Sequence, residues 1–236
     1  MESIPLADRL RLTVITDEAL ARPRSLSDVV REALAAGAPT IQLRLKDATA
    51  RQLLEAAQAL LPIVRSAGAL FIVNDRLDVA LAVGADGVHL GPDDPPITDA
   101  RAVADGTRAE DADTIEAATG ASTGAAAEPF ILGYSVYTTS GATRAEEEGA
   151  DYLGVGAVYA TSNKSDVGQV IGLEGLRRVV EAVSIPVVAI GGITPQRAPA
   201  VAETGACGSA AIGAVTGSVE PAEAVRALLL PFGGAL

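Results

Sequence analysis

The sequence predicts a closed (β/α)8 barrel, one domain across residues 1–236, and three features carry that expectation. A Gly-Ala phrase recurs four times, as "ALAAGAPTIQLRL" from Ala33, "ALAVGADGVHLGP" from Ala80, "AEEEGADYLGVGA" from Ala145 and "VAETGACGSAAIG" from Val201. Each phrase reads as the end of an Ala-rich helix, a glycine suited to a left-handed helix terminus, and a short apolar strand. Four further apolar runs alternate with these phrases, making eight strands in all. Apolar residues at 3.6 spacing fill the intervals, so strands and helices alternate throughout.

In chain order, "LRLTVITD" is the first strand, ending at Asp17, and "LSDVVREALAAG" the helix behind it. The second strand lies in "TIQLRLKD", followed by the helix "ARQLLEAAQALLPIVRSAG". "ALFIVND", ending at Asp75, is the third strand, and the second Gly-Ala phrase supplies the fourth. An acidic Ala/Thr/Gly-rich segment at 105–129 lacks a sustained apolar face and is expected to be a mobile insertion; an exposed helix over 111–119 is the alternative. "FILGYSV", ending at Val136, is the fifth strand, and the third phrase holds the sixth. The helix "GLEGLRRVVEAV", the strand "IPVVAIGGI" ending at Ile193, and the fourth phrase complete the eight. An open doubly wound sheet is the competing architecture. Even spacing of the Gly-Ala phrases favours closure, because a switch point would break it.

Composition narrows the function. The formal net charge is −12, which argues against nucleic acid and anionic membrane surfaces as partners. A phosphorylated substrate would meet a repelling field, so a phosphate site must hold a few well-placed cations. Cys207 is the one cysteine, which excludes an intrachain disulfide and a zinc cluster and fits a reducing cytoplasm. The N-terminus "MESIPLADRLRL" lacks the layout of a signal peptide, and no apolar run approaches the ~18 residues of a membrane span. Whether the chain forms a homo-oligomer is left open.

Barrel enzymes place their chemistry at the C-terminal ends of the strands. After the first strand stand Thr16 and Asp17. In "QLRLKD", Gln42, Arg44 and Lys46 alternate, which puts an amide and two cations on one side of the second strand. Asn74 and Asp75 follow the third strand, and Asp93 and Asp94 the fourth, a gathering of carboxylates that suits a hard divalent cation holding a diphosphate. For Asp75 alone a helix N-cap is the plain alternative. Ser135 belongs to the fifth strand's end, and the polar loop "GAVYATSNKSD" after the sixth carries Thr161, Ser162, Asn163 and Lys164. Gly191 and Gly192 follow the seventh strand and Gly213 the eighth, where backbone amides can approach a phosphate. The lone histidine, His89, reads as a structural hydrogen-bonding residue, and Cys207 as an inert buried thiol.

Together "ITD", "QLRLKD", "VNDRLDVALAVGADGVHLGPDD", "GYSV", "GADYLGVGAVYATSNK" and "VVAIGGIT" resemble the thiamine phosphate synthase family over nearly the whole chain apart from 105–129. The resemblance implies condensation of an aminopyrimidine methyl diphosphate with a thiazole phosphate, giving thiamine phosphate and pyrophosphate through a dissociative displacement. It also implies roles. Asp75 and Asp94 would ligate Mg2+, while Arg44, Lys46, Asn74 and Lys164 would bind the diphosphate. Gln42 would hold the pyrimidine edge and Ser135 would stand beside the reacting methylene. Thr161 and Asn163 would meet the thiazole, and amides near Gly192, Ile212 and Gly213 would take its phosphate. Lys164, Ser135, Arg44 and Lys46 would be the catalytic set. Three positions depart from the family pattern: Asn163 replaces a usual hydroxyl residue, Gly213 a common Ser, and Tyr137 a frequent His. A related thiazole tautomerase, which depends on that His, and a non-catalytic barrel binding a phosphorylated ligand are the alternatives.

Overall fold

The computed structural model describes residues 4–107, 129–161 and 170–234. The strands are β1 (Leu12–Ile15), β2 (Thr40–Leu43), β3 (Leu70–Asn74), β4 (Gly87–Leu90), β5 (Ile131–Val136), β6 (Tyr152–Val155), β7 (Val187–Ile190) and β8 (Gly208–Ala211). Each pairs in parallel with its neighbours in sequence. β8 then returns to β1 through Leu12↔Ser209, Thr13↔Ala210 and Val14↔Ala211, which closes the barrel and excludes the open sheet.

The helices are α1 (Leu6–Arg9), α2 (Glu18–Ala21), α3 (Leu26–Ala35), α4 (Ala50–Ser66), α5 (Leu77–Val83), α6 (residues 97–107), α7 (Thr139–Glu147), α8 (Gly172–Val180), α9 (Ala198–Ala202), α10 (Gly213–Thr216) and α11 (Pro221–Leu229). The start expected for the acidic insertion is corrected: residues 105–107 continue α6, where buried Ile97, Ala100 and Ala104 recur at helical spacing against the barrel. The rest of the expected insertion, and the alternative helix over 111–119, lies outside the described residues apart from Pro129.

Local chemistry explains where the helices begin. The Ser25 hydroxyl accepts the Asp28 N–H at the start of α3, and Thr49 with Gln52 forms a reciprocal capping box at the start of α4. The repeat has a common mechanical basis. Gly37, Gly84, Gly149 and Gly205 all sit at positive φ, between 68° and 98°, so each reverses the chain from helix into strand without a Cβ penalty. The aspartates of the second and third phrases have a parallel task. Asp86 Oδ2 accepts the Phe71 N–H at 2.7 Å, and Asp151 Oδ2 accepts the Leu132 N–H at 2.7 Å, each satisfying a donor near the start of the preceding strand.

Two apolar layers result. Between strands and helices lie Phe71, Val73, Leu90, Leu153 and Val155, in one continuous cluster that also holds Leu53, Ala57 and Leu60 of α4. Inside the barrel Leu10, Ile15, Tyr152, Val188, Ala210 and Ile212 form a second cluster. Tyr152 fits there because glycines leave it space: a Cβ on Gly133 would run into its ring, and one on Gly154 would come within 2.8 Å of His89 Cε1. No helix among the described residues is long and apolar enough to cross a membrane.

Candidate active site

At their C-terminal ends the strands open into a cavity of about 640 Å3. Its wall brings together Arg44, Asn74, Asp75, Asp94, Ser135, Thr161, Gly192, Ile212 and Gly213 from the sequence-derived set. Seven different strand ends, β2 to β8, therefore meet at one space, where this fold gathers its loops.

Arg44 follows β2 directly. Its backbone is clamped by the buried hydroxyl of Thr16, which accepts the Arg44 N–H at 2.9 Å and donates to the Arg44 carbonyl at 3.0 Å. Arg44 thereby starts from a fixed backbone at the cavity wall, and its guanidinium Nη1 is buried without a hydrogen-bond partner. A buried donor of a charged group normally finds a partner, so an unpaired one on a residue that lines a cavity is a candidate contact for an anion. Lys46 is not brought there. β2 ends at Leu43, and the period-2 alternation ends with it; Lys46 sits exposed in the following turn, away from the cavity lining. Gln42 is 3% exposed inside the barrel, in a void of about 10 Å3 below the mouth. His89, Gly154, Ile190 and Ala210 line both spaces, so Gln42 lies directly under the cavity floor.

Asp75 adopts a left-handed backbone, φ 63°, and its N–H donates to the His89 carbonyl at 2.8 Å. Aspartate tolerates this region better than most residues, and a strained conformation at a cavity edge is a recurrent feature of functional sites. Asp94 Oδ2 accepts the Gly91 N–H at 2.7 Å, which fixes the turn after β4. The Asp75 N-cap alternative falls away: Arg76 occupies the N-cap position of α5, without a side-chain cap.

Ser135 Oγ lies 2.9 Å from His89 Nε2, and His89 Nδ1 lies 2.9 Å from the Tyr152 hydroxyl. His89 is buried, in keeping with the structural role read for it. Burial pushes the Tyr152 phenol well above its ordinary range, and a hydrogen bond from Gln42 offsets part of that rise. Burial likewise pushes the Cys207 thiol up to about 12, which keeps it protonated and inert.

Gly191 and Gly192 both take positive φ, 97° and 64°. A Cβ at Gly191 would lie 2.6 Å from the Ala157 Cβ, so the turn after β7 can approach its neighbour only as glycine. Arg197, absent from the sequence-derived set, also lines the cavity. It donates to the Gly192 carbonyl at 2.7 Å and stacks over the Tyr159 ring at 4.5 Å. Its clue in the sequence was a lone cation close behind the glycine pair; the fold-back of that loop made it part of the wall. Tyr137 lines the cavity and is 60% exposed. Ser162, Asn163 and Lys164 lie outside the described residues.

The donor set suits Mg2+. No group of three or more His, Cys, Asp or Glu side chains converges among the described residues, and the cavity offers the carboxylates of Asp75 and Asp94 from adjacent strand ends. Mg2+ commonly takes one or two carboxylates and completes its shell with water and substrate phosphate, so two hard oxygen ligands beside an unpaired guanidinium donor fit it.

Fold and rim together define a closed (β/α)8 barrel with a polar cavity at the C-terminal ends of its strands, where enzymes of this fold carry their chemistry. The chain belongs to the thiamine monophosphate synthase family, whose model matches residues 12–109 and 115–215. It is 45% identical over 217 residues to a thiamine-phosphate synthase of Moorella thermoacetica, covering 92% of this chain and 93% of that one. A thiamine-phosphate synthase of Pyrococcus furiosus is 45% identical over 223 residues, covering 94% and 95%. Among solved structures, a thiamine phosphate pyrophosphorylase from Pyrococcus furiosus superposes with a TM-score of 0.81 at 42% identity, covering 98% of this chain and all of that one. A 3-hexulose-6-phosphate synthase, at 17% identity and a TM-score of 0.62, shares the fold.

Proposed function

We propose that this enzyme joins 4-amino-2-methyl-5-pyrimidinylmethyl diphosphate to 4-methyl-5-(2-phosphoethyl)thiazole, releasing thiamine phosphate and pyrophosphate. The observation that carries the reading is the buried, unpartnered Nη1 of Arg44 in the cavity wall that also bears Asp75 and Asp94. The membership of the chain in its family supports it independently.

In this reaction the bond between the methylene carbon and the diphosphate oxygen breaks, and its electron pair leaves with pyrophosphate. The thiazole nitrogen lone pair then forms the new C–N bond to the methylene. The nucleophile needs no deprotonation, so the barrier is set by charge growing on the leaving group. Fixed cations aimed at that charge lower it. Arg44 is such a cation, its backbone fixed in advance by Thr16. Mg2+ held by Asp75 and Asp94 would supply further positive charge to the diphosphate. Asn74 would add a neutral contact from β3, and Lys164 is proposed to approach the same anion. Gln42 and Ser135 would orient the pyrimidine from the floor. Thr161 and Asn163 would face the thiazole, whose phosphate would meet the amides around Gly192, Ile212 and Gly213. The tautomerase alternative lacks its histidine, Tyr137 standing in that place. Both substrates carry phosphate and do not cross a membrane unaided, so the cytoplasm is the compartment we propose.

Purified protein given both substrates and Mg2+ should release pyrophosphate in step with thiamine phosphate. EDTA should stop the release and added Mg2+ restore it. Absence of release with fresh substrates would overturn the reading.

A further inference from the structure

We infer that Arg197, clasped over Tyr159, is a positioning residue that fixes the loop after β7 so that its backbone N–H groups take a phosphate. That this phosphate belongs to the thiazole substrate rests on the function proposed above; the loop geometry does not. Three successive carbonyls of the loop are tied down on one side. The Ile190 carbonyl accepts the Val158 N–H at 2.9 Å, and the Gly191 carbonyl accepts the Tyr159 N–H at 3.0 Å. The Gly192 carbonyl accepts Arg197 Nη1 at 2.7 Å. The same guanidinium lies over the Tyr159 ring, 4.5 Å from its centroid. Arg197 thus fastens the third carbonyl to the residue that already holds the second.

The consequence for the N–H groups follows from peptide geometry. A planar trans peptide points its C=O and its N–H in opposite directions. Anchoring these three carbonyls therefore turns the N–H groups of Gly191, Gly192 and Ile193 away from their anchors. None of the three has a hydrogen-bond partner among the described residues, and all three residues line the cavity. Successive free N–H groups in a turn, here with two glycines at positive φ, form a backbone concavity of the kind that holds anions. Without Arg197 the first two carbonyls keep their backbone partners, but the third peptide loses its anchor. Glycine is the residue least able to hold that peptide by itself. The guanidinium supplies more than charge: it is flat enough to stack on Tyr159 while it donates to Gly192, which an ammonium group cannot reproduce. Its permanent charge also favours a phosphate in a chain whose net charge is −12.

Titration of 15N-labelled protein with inorganic phosphate tests the loop without turnover. In the wild type the amide signals of Gly192 and Ile193 should move downfield and saturate. In Arg197→Ala the same movement should need about ten times more phosphate, the value of one hydrogen bond to a charged group. Arg197→Lys should recover only part of the loss. Tyr159→Leu should show a partial loss too; Tyr159 is not part of the cavity lining, so its effect reaches the site through Arg197. In steady state, Arg197→Ala should raise KM for the thiazole phosphate about tenfold and KM for the pyrimidine diphosphate much less. Gly192 and Ile193 signals unmoved in the wild type, or an unchanged phosphate affinity in folded Arg197→Ala, would overturn the inference. Full rescue by Arg197→Lys with a silent Tyr159→Leu would overturn the positioning role, and these two variants carry the test if Arg197→Ala does not fold. Equal rises in both KM values would overturn the link to the thiazole. Failure of the synthase reaction would remove the thiazole assignment and leave the phosphate titration to decide the role of Arg197.

Discussion

Where the strands begin, Asp86 and Asp151 each take a backbone N–H of the neighbouring strand, and Arg101 ties the Asp151 carboxylate at 2.6 Å to the Phe130 and Gly149 carbonyls. Where the strands end, Arg44 buries a guanidinium nitrogen with no partner, Asp75 accepts a left-handed backbone, and two successive glycines take positive φ. One rim of the barrel spends its charged groups on its own backbone. At the other, Asp94 and Arg197 also bond to their own loops, but Arg44 Nη1 does not. The difference between the rims therefore rests on Arg44, whose charge is the one whose hydrogen bonding does not close within the described residues of the chain.

The largest effect expected from this contrast is at Arg44. Arg44→Ala should lower turnover by roughly 10²–10³, as loss of a preorganised charge does elsewhere. The thermal midpoint should hold or rise, because a buried unpaired donor disappears. A parallel loss of stability and activity would break the distinction between the rims.

Between the rims, Gly133→Ala places a methyl against the Tyr152 ring. Overpacking of this kind costs about 1–3 kcal/mol, which denaturant titration would resolve. An unchanged midpoint would mean that the barrel interior yields more easily than its packing indicates.

At the N-terminal rim, Asp151→Asn removes the charge shared by Arg101 and the Leu132 N–H, with the Asp151 side chain 34% exposed. A loss toward the lower end of about 1–3 kcal/mol is expected, with kcat unchanged in the folded protein. A fall in kcat at full stability would place function on the wrong rim.

The smallest effect concerns Cys207. Its folded-state pKa is raised to about 12, so above roughly pH 8.5 the unfolded chain binds fewer protons than the folded one, and stability falls as pH climbs through that window. Cys207→Ala should flatten this alkaline decline, measured as the midpoint between neutral pH and pH 10. A steeper decline would show the thiol to be ionised when folded.

Much of this architecture was legible in the chain because local rules and global fold agree. The four Gly-Ala phrases announced four helix-to-strand reversals, and all four glycines adopt the left-handed conformation that made them readable. Arg44, Asn74, Asp75 and Asp94 were legible because each ends an apolar run or lies within a few residues of its end, and the fold sends such residues to one mouth. Lys46 marks the limit of strand alternation. Alternation places a residue only while the strand lasts, and β2 ends three residues earlier, at a point set by pairing with its neighbours. Arg197 was missed for the complementary reason, its place in the wall depending on a loop folding back onto Tyr159 and Gly192.

By itself the sequence determined the eight αβ units, their order, the acidic surface and most of the polar groups at the mouth, since periodicity, helix termini and charge are properties of neighbouring residues. Only the tertiary structure decided that β8 returns to β1, that Thr16 clamps Arg44, and that Gly133 and Gly154 make room for Tyr152 and His89. Those outcomes join residues far apart in the chain, and closure of the barrel is what brings them within hydrogen-bonding and packing distance.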